Sequence, residues 1–136
     1  MLSKFQIQDE LFGYYAALQR VQEYVAENLP HQISLGEAAA VAGMERKYFS
    51  TFFHRKVGVC FSHWLVWVRV TEAKRLMQYR DFSITEIALI VGFNDLRTFE
   101  RGFKSCTDMT PREFRRSVQP QRDARQSTRF LPQSRE

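Results

Sequence analysis

Four side chains in the second half of the sequence, Leu96, Arg97, Glu100 and Arg101, recur at steps of one and three residues. On a helix they share one face, opposite Phe99 and Phe103. Their chemistry is recognition rather than bond making. Arginine matches guanine O6 and N7, leucine packs on a thymine methyl, and Glu100 either accepts from cytosine N4 or pairs with Lys104 or Arg97 on its own helix. Lys104, one turn further on, suits a phosphate. The first half carries a quieter version: Arg46, Lys47, Ser50, Thr51 and His54 fall on the face opposite Phe49 and Phe53. Ser50 and Thr51 are short and read bases permissively, whereas Arg46, Arg55 and Lys56 suit phosphate contacts.

Other chemistries find no support. Cys60 and Cys106 form no CxxC pair, and His31, His54 and His63 have neither zinc-finger nor HExxH spacing. A catalytic reading needs a clustered acid, base and nucleophile, and none is present, so neither an enzyme nor a cofactor is expected. The longest apolar runs, 64–68 and 87–91, fall far short of the roughly 20 residues of a membrane span, and the N-terminus lacks a signal peptide's apolar core. Free thiols and no membrane place the chain in the cytoplasm by expectation.

The recognition faces must be held by helices, and the sequence places them by an internal repeat. Ser34 and Glu37 recur as Ser83 and Glu86, and Gly43 as Gly92, all at an offset of 49 residues. Ser-x-x-Glu is a capping box that starts a helix, and a glycine about two turns later takes the left-handed conformation that ends it. A second helix follows each glycine, carrying Phe49 and Phe53 or Phe99 and Phe103 at i, i+4. Short helix, glycine turn and second helix form a helix-turn-helix, whose second helix enters the major groove of double-stranded DNA.

Around this pair the spacing predicts an amphipathic helix over 11–29 that stops at Pro30. A linker helix is predicted over 61–80, about 18 helical residues spanning roughly 27 Å and suited to the 34 Å repeat of B-DNA. A last helix is predicted after the Thr110-Pro111 cap, with Glu113 at its third position. The expected fold is all-α, about seven helices in two helix-turn-helix lobes. Residues 1–12 form an extension, lobe one covers about 13–58, lobe two about 83–118, and 119–136 is a disordered basic tail. Of the net charge of +5, +4 falls in residues 112–136, which hold seven arginines against Glu113, Asp123 and Glu136. Global charge is therefore weak support for a DNA-binding core, and helix faces carry the case.

Across roughly 21–116 these residues resemble the DNA-binding domain of the AraC/XylS family of bacterial transcription regulators. The likeness is sharpest in 84–93, Phe99, Phe103, Lys104, Thr110, Pro111 and 114–116. The first half matches at Ser34, Leu35, Glu37, Ala38, Ala39, Gly43, Phe53 and Gly58, and the linker at Arg69, Ala73 and Leu76. The resemblance implies a seven-helix, two-lobed domain that binds asymmetric sites and contacts RNA polymerase, usually to activate transcription. It assigns base reading to Lys47, Ser50, Thr51, Leu96, Arg97, Glu100 and Arg101. The 136 residues leave no room for the small-molecule effector domain of most members, so the chain is expected to resemble the short stand-alone ones, or else the C-terminal piece of a longer regulator, and to bind DNA as a monomer.

Several positions depart from the family pattern. Glu45 and Cys60 replace better helix caps, predicting a weaker lobe one, although Glu45 also favours a helix N-terminus electrostatically. Gly102 inside the second recognition helix implies close approach of another helix. Val66 and Trp67 stand where charges are usual, which leaves a rival reading open: a protein-interaction module or anti-activator using the apolar linker surface, unless Trp67 packs against the segment from Phe5 to Tyr15.

Overall fold

A computed structural model describes residues 12, 15–79 and 81–119 of the 136-residue chain. Within them lie seven helices and no strand: α1 (Ala16–Glu27), α2 (Leu35–Ala42), α3 (Arg46–Val57), α4 (Phe61–Leu76), α5 (Ile84–Ile90), α6 (Leu96–Thr107) and α7 (Pro111–Val118). The all-α, two-lobed expectation holds. The expected N-terminal extension, apart from Phe12, and the expected disordered tail beyond residue 119 lie outside the described residues.

The repeat is visible bond for bond. Ser34 Oγ accepts from the Glu37 amide at 3.0 Å while Glu37 Oε1 accepts from the Ser34 amide at 2.7 Å. Ser83 and Glu86 repeat the exchange at 3.0 and 2.8 Å. At the far ends Gly43 and Gly92 take φ of +75° and +105°. The amide after each glycine then closes on a carbonyl five residues back: Met44 on Ala39 and Phe93 on Ala88, both at 2.9 Å. This is the Schellman arrangement, and it aims the chain into the following recognition helix.

Each recognition helix is held by its aromatic pair. Phe49 and Phe53 are fully buried with ring centroids 5.6 Å apart, and Phe99 and Phe103 match them at 5.6 Å. A fully buried Phe contributes about 1.5–3 kcal/mol, so these pairs dominate the seating of α3 and α6. Lobe one gathers Phe12, Phe61 and Trp64 around Phe53; lobe two gathers Phe93 and Phe114 around Phe99 and Phe103.

The linker α4 belongs to both cores. Its first half buries Phe61, Trp64 and Leu65 in lobe one, and its second half buries Val70, Ala73 and Leu76 in lobe two. Sixteen residues make it about 24 Å long, slightly short of the expected span. It ends at Leu76; Met77 still donates its amide to the Ala73 carbonyl at 2.9 Å and is fully buried, and its own carbonyl accepts from Gln119 Nε2 at 2.7 Å. Arg115 Nη2 likewise serves the Tyr79 carbonyl at 3.0 Å. Side chains from the end of the domain thus replace helical partners that another turn of α4 would supply. Gln119, expected to open the tail, is a packed residue.

Glu45 corrects one expectation. Its carboxylate accepts from the Tyr48 amide at 3.0 Å, so α3 is capped after all. Cys60, by contrast, makes no side-chain cap bond to α4, as its type implies.

Candidate nucleic-acid interface

Helix α6 starts at Asp95, whose carboxylate accepts from the Thr98 amide at 2.7 Å. That hydrogen bond, reinforced by the nearby charges of Arg101 and Arg97, holds the Asp95 pKa below the ordinary carboxylate range. The cap fixes the register of the helix, and burial of Phe99, Phe103 and Cys106 fixes its rotation. Arg97, Glu100, Arg101 and Lys104 are exposed as a result, and Leu96 is half-buried at their edge.

These five residues line one groove of about 920 Å³ whose other walls come from the start of α5 and the start of α7. Ser83 and Thr85 stand on one side, Thr110 and Arg112 on the other, with Ser105 and Asp108 toward the end of α6. Four cationic side chains share the groove with two carboxylates, Glu100 and Asp108, so it favours a polyanion while keeping hydrogen-bond acceptors in its lining. Glu100 makes no ion pair with Arg97 or Lys104 among the described residues, which leaves its carboxylate available.

Lobe one presents a flatter face. Arg46, Lys47, Thr51, His54 and Arg55 are exposed along α3, Ser50 is half-buried, and Phe49, Phe52, Phe53 and Val57 fill the opposite side. Lys56 is drawn away from this face. Its Nζ lies 5.4 Å from the Tyr15 ring centroid, a cation–π arrangement within lobe one.

Several residues of these faces are not marked by the sequence as DNA contacts. Ser83, Thr85 and Arg112 reach the groove only because α5 and α7 converge on α6, which no local spacing reveals. Tyr48 is 57% exposed on α3 and stacks at 6.3 Å on Phe52. Its signal was an aromatic directly after Lys47, off the buried stripe.

The apolar linker surface is largely spent on packing. Val66 lies against Gly102 of α6, which accounts for a glycine inside that helix, and Trp67 is half-buried between the two cores. What remains is a groove of about 550 Å³ bounded by Gln22, Leu29, Trp67, Val68 and Ile90. Among the described residues no group of side chains could hold a metal ion, and no helix is long and apolar enough to cross a membrane.

A family model described as a helix-turn-helix domain matches residues 38–117. An uncharacterised helix-turn-helix transcriptional regulator of Staphylococcus aureus is 34% identical over 96 residues, 71% of this chain but 13% of the relative, so the chain spans a small part of that protein's length. A transcriptional regulator from Chromobacterium violaceum with an AraC-type DNA-binding domain superposes with a TM-score of 0.71 at 26% identity, covering 79% of this chain and 97% of the other. The DNA-binding domain of AdpA, solved with a target DNA, superposes with a TM-score of 0.69 at 29% identity, over 76% and 96% of the two chains.

Proposed function

The chain belongs to the AraC-type helix-turn-helix family of DNA-binding transcription regulators, and from that premise we propose that α3 and α6 both enter major-groove segments on one face of double-stranded DNA. The observation that carries this reading is the convergence of Leu96, Arg97, Glu100 and Arg101 with Lys104 in one groove, the opposite side of α6 being wholly given to the core. Arg97 and Arg101 read guanine, Glu100 reads cytosine, and Leu96 packs on a thymine methyl. Lobe one reads through Lys47, Ser50 and Thr51 and anchors through Arg46 and Arg55.

In this reading the chain binds as a monomer in a bacterial cytoplasm, since its two lobes are unequal and suit an asymmetric site. It acts as an activator by bringing RNA polymerase to the bound site. The test is selection of genomic fragments followed by a salt titration on the best of them. Affinity should fall by roughly 0.9 log units per log unit of salt for each phosphate neutralised. Absent or salt-insensitive binding defeats the proposal.

A further inference from the structure

Arg69 lies in the middle of α4 and is only 5% exposed, yet no carboxylate pairs with it among the described residues. Its guanidinium is satisfied by three backbone carbonyls instead. Nη1 donates to the carbonyls of Leu29 and of Val91, the latter at 2.6 Å, and Nη2 donates to the His31 carbonyl at 3.1 Å. Leu29 and His31 belong to the loop after α1, in lobe one. Val91 caps α5, in lobe two. One side chain on the connecting helix therefore ties the backbones of both lobes together.

Gly92 is shaped to the same junction. Its φ of +105° serves the helix-turn-helix turn, but a Cβ there would also run into the Arg69 guanidinium and the Leu29 carbonyl. The equivalent turn in lobe one is served by an arginine too: Arg20 donates to the carbonyls of Val41 and Ala42 at 3.1 and 3.0 Å. Arg20 sits on α1 of the same lobe, so that arrangement fixes nothing between lobes. Only the lobe-two turn is held from outside, with an exposed bond from Gln32 Nε2 to Asn94 Oδ1 at 2.9 Å crossing the same seam.

We propose that Arg69 is a positioning residue that locks the angle between the lobes and thereby sets the spacing between the two DNA segments the chain accepts. The inference rests on the reading that α3 and α6 both engage DNA. A planar guanidinium with donors in fixed directions can hold three carbonyls at once, whereas an ammonium on a flexible stem can keep the charge but not the geometry. Two binding elements joined rigidly gain from simultaneous engagement only where the ligand matches their spacing. Loosening the joint broadens the spacings that are tolerated.

The experiment measures affinity of the full chain and of Arg69→Lys for the best genomic site, for versions with one or two base pairs inserted between the segments under the lobes, and for a version with the lobe-one segment scrambled. The unaltered chain should lose at least about tenfold per insertion, and Arg69→Lys no more than about threefold, while the two bind the scrambled site within about twofold of each other. A folded Arg69→Lys that keeps the steep spacing dependence, or that loses affinity equally on every site, overturns the proposal. If the unaltered chain ignores both insertion and scrambling, the two-segment reading fails instead.

The lock is then judged without DNA, from the distance between spin labels at Glu23→Cys and Arg116→Cys in a Cys60→Ser background. A distribution that is narrow with Arg69 and broad with Arg69→Lys supports it; equal widths overturn it. Should Arg69→Lys not fold, the chain with Arg69 decides alone, a narrow distribution supporting the lock and a broad one overturning it.

Discussion

The backbone of Gly102 in α6 runs so close to Val66 of α4 that a Cβ at position 102 would stand 3.1 Å from Val66 Cγ1. Alanine there gains about 1 kcal/mol of helix propensity but needs Val66, a side chain stiff at χ1, to give way. Gly102→Ala should accordingly be near neutral in urea unfolding. In a Val66→Ala background the same change should stabilise by about 1 kcal/mol, because the obstruction is gone while the propensity gain remains. Equal effects in both backgrounds would show that this contact does not govern position 102.

The Glu45 cap makes a second test of packing against propensity. Glutamate is not a favoured N-cap type, yet its carboxylate accepts from the Tyr48 amide. Glu45→Ala should cost about 0.5–2 kcal/mol, the range for a working cap. Glu45→Ser should restore most of it. A loss below a few tenths of a kcal/mol for Glu45→Ala would mean that the bond adds nothing to α3.

Legibility in the sequence followed the range of the interaction. The capping boxes, the glycine turns and the Phe pairs all act within about a turn or two of chain, so spacing alone located them and, with them, the exposed faces of α3 and α6. The Glu45 cap is not legible from residue type because cap preferences average over side chains whose geometry differs from case to case. Lys56 stood on the right helix, but its partnership with Tyr15 depends on a residue forty-one positions away. Arg69 was legible only as a family residue. Its partners are carbonyls on two loops brought together by packing, and a carbonyl carries no side-chain signature.

Acid should weaken the fold through the helix caps. Hydrogen bonds from the backbone at Ser34, Thr110 and Thr98 hold the carboxyls of Glu37, Glu113 and Asp95 below their ordinary pKa. The folded chain then binds fewer protons than the unfolded chain below the ordinary carboxylate range of about 4, so stability falls as pH falls. Their contribution is complete above that range and lost as pH drops through the lowered folded values. Replacing Glu37 and Glu113 together by Gln should flatten the decline of the urea midpoint on the acid side. An unchanged slope would show that these caps do not drive it.

Arg101 and Lys104 should differ in kind. Arg101→Ala should cost about 1–3 kcal/mol on the best site and relax the base preference at one position. Lys104→Ala should weaken binding by a similar factor on every sequence. Binding of each variant to a library with single-base changes distinguishes the two. Equal losses everywhere for Arg101→Ala would make it a phosphate contact.

Arg112 provides the sharpest separation of stability from binding. It is exposed near the N-terminus of α7, directly after Pro111, where the helix dipole disfavours a cation. It has no ion pair among the described residues, and it faces the same groove as Arg97, Arg101 and Lys104. Folding therefore gains nothing from the charge, whereas a polyanion in the groove would. Arg112→Ala should leave the urea midpoint unchanged or slightly higher, weaken DNA binding without altering base preference, and reduce the salt slope by about 1. Arg112→Lys should recover the salt slope, since a phosphate needs charge and not a planar fork. If Arg112→Ala instead destabilises the protein and leaves the slope intact, the residue serves α7, and the α7 wall of the groove does not touch DNA.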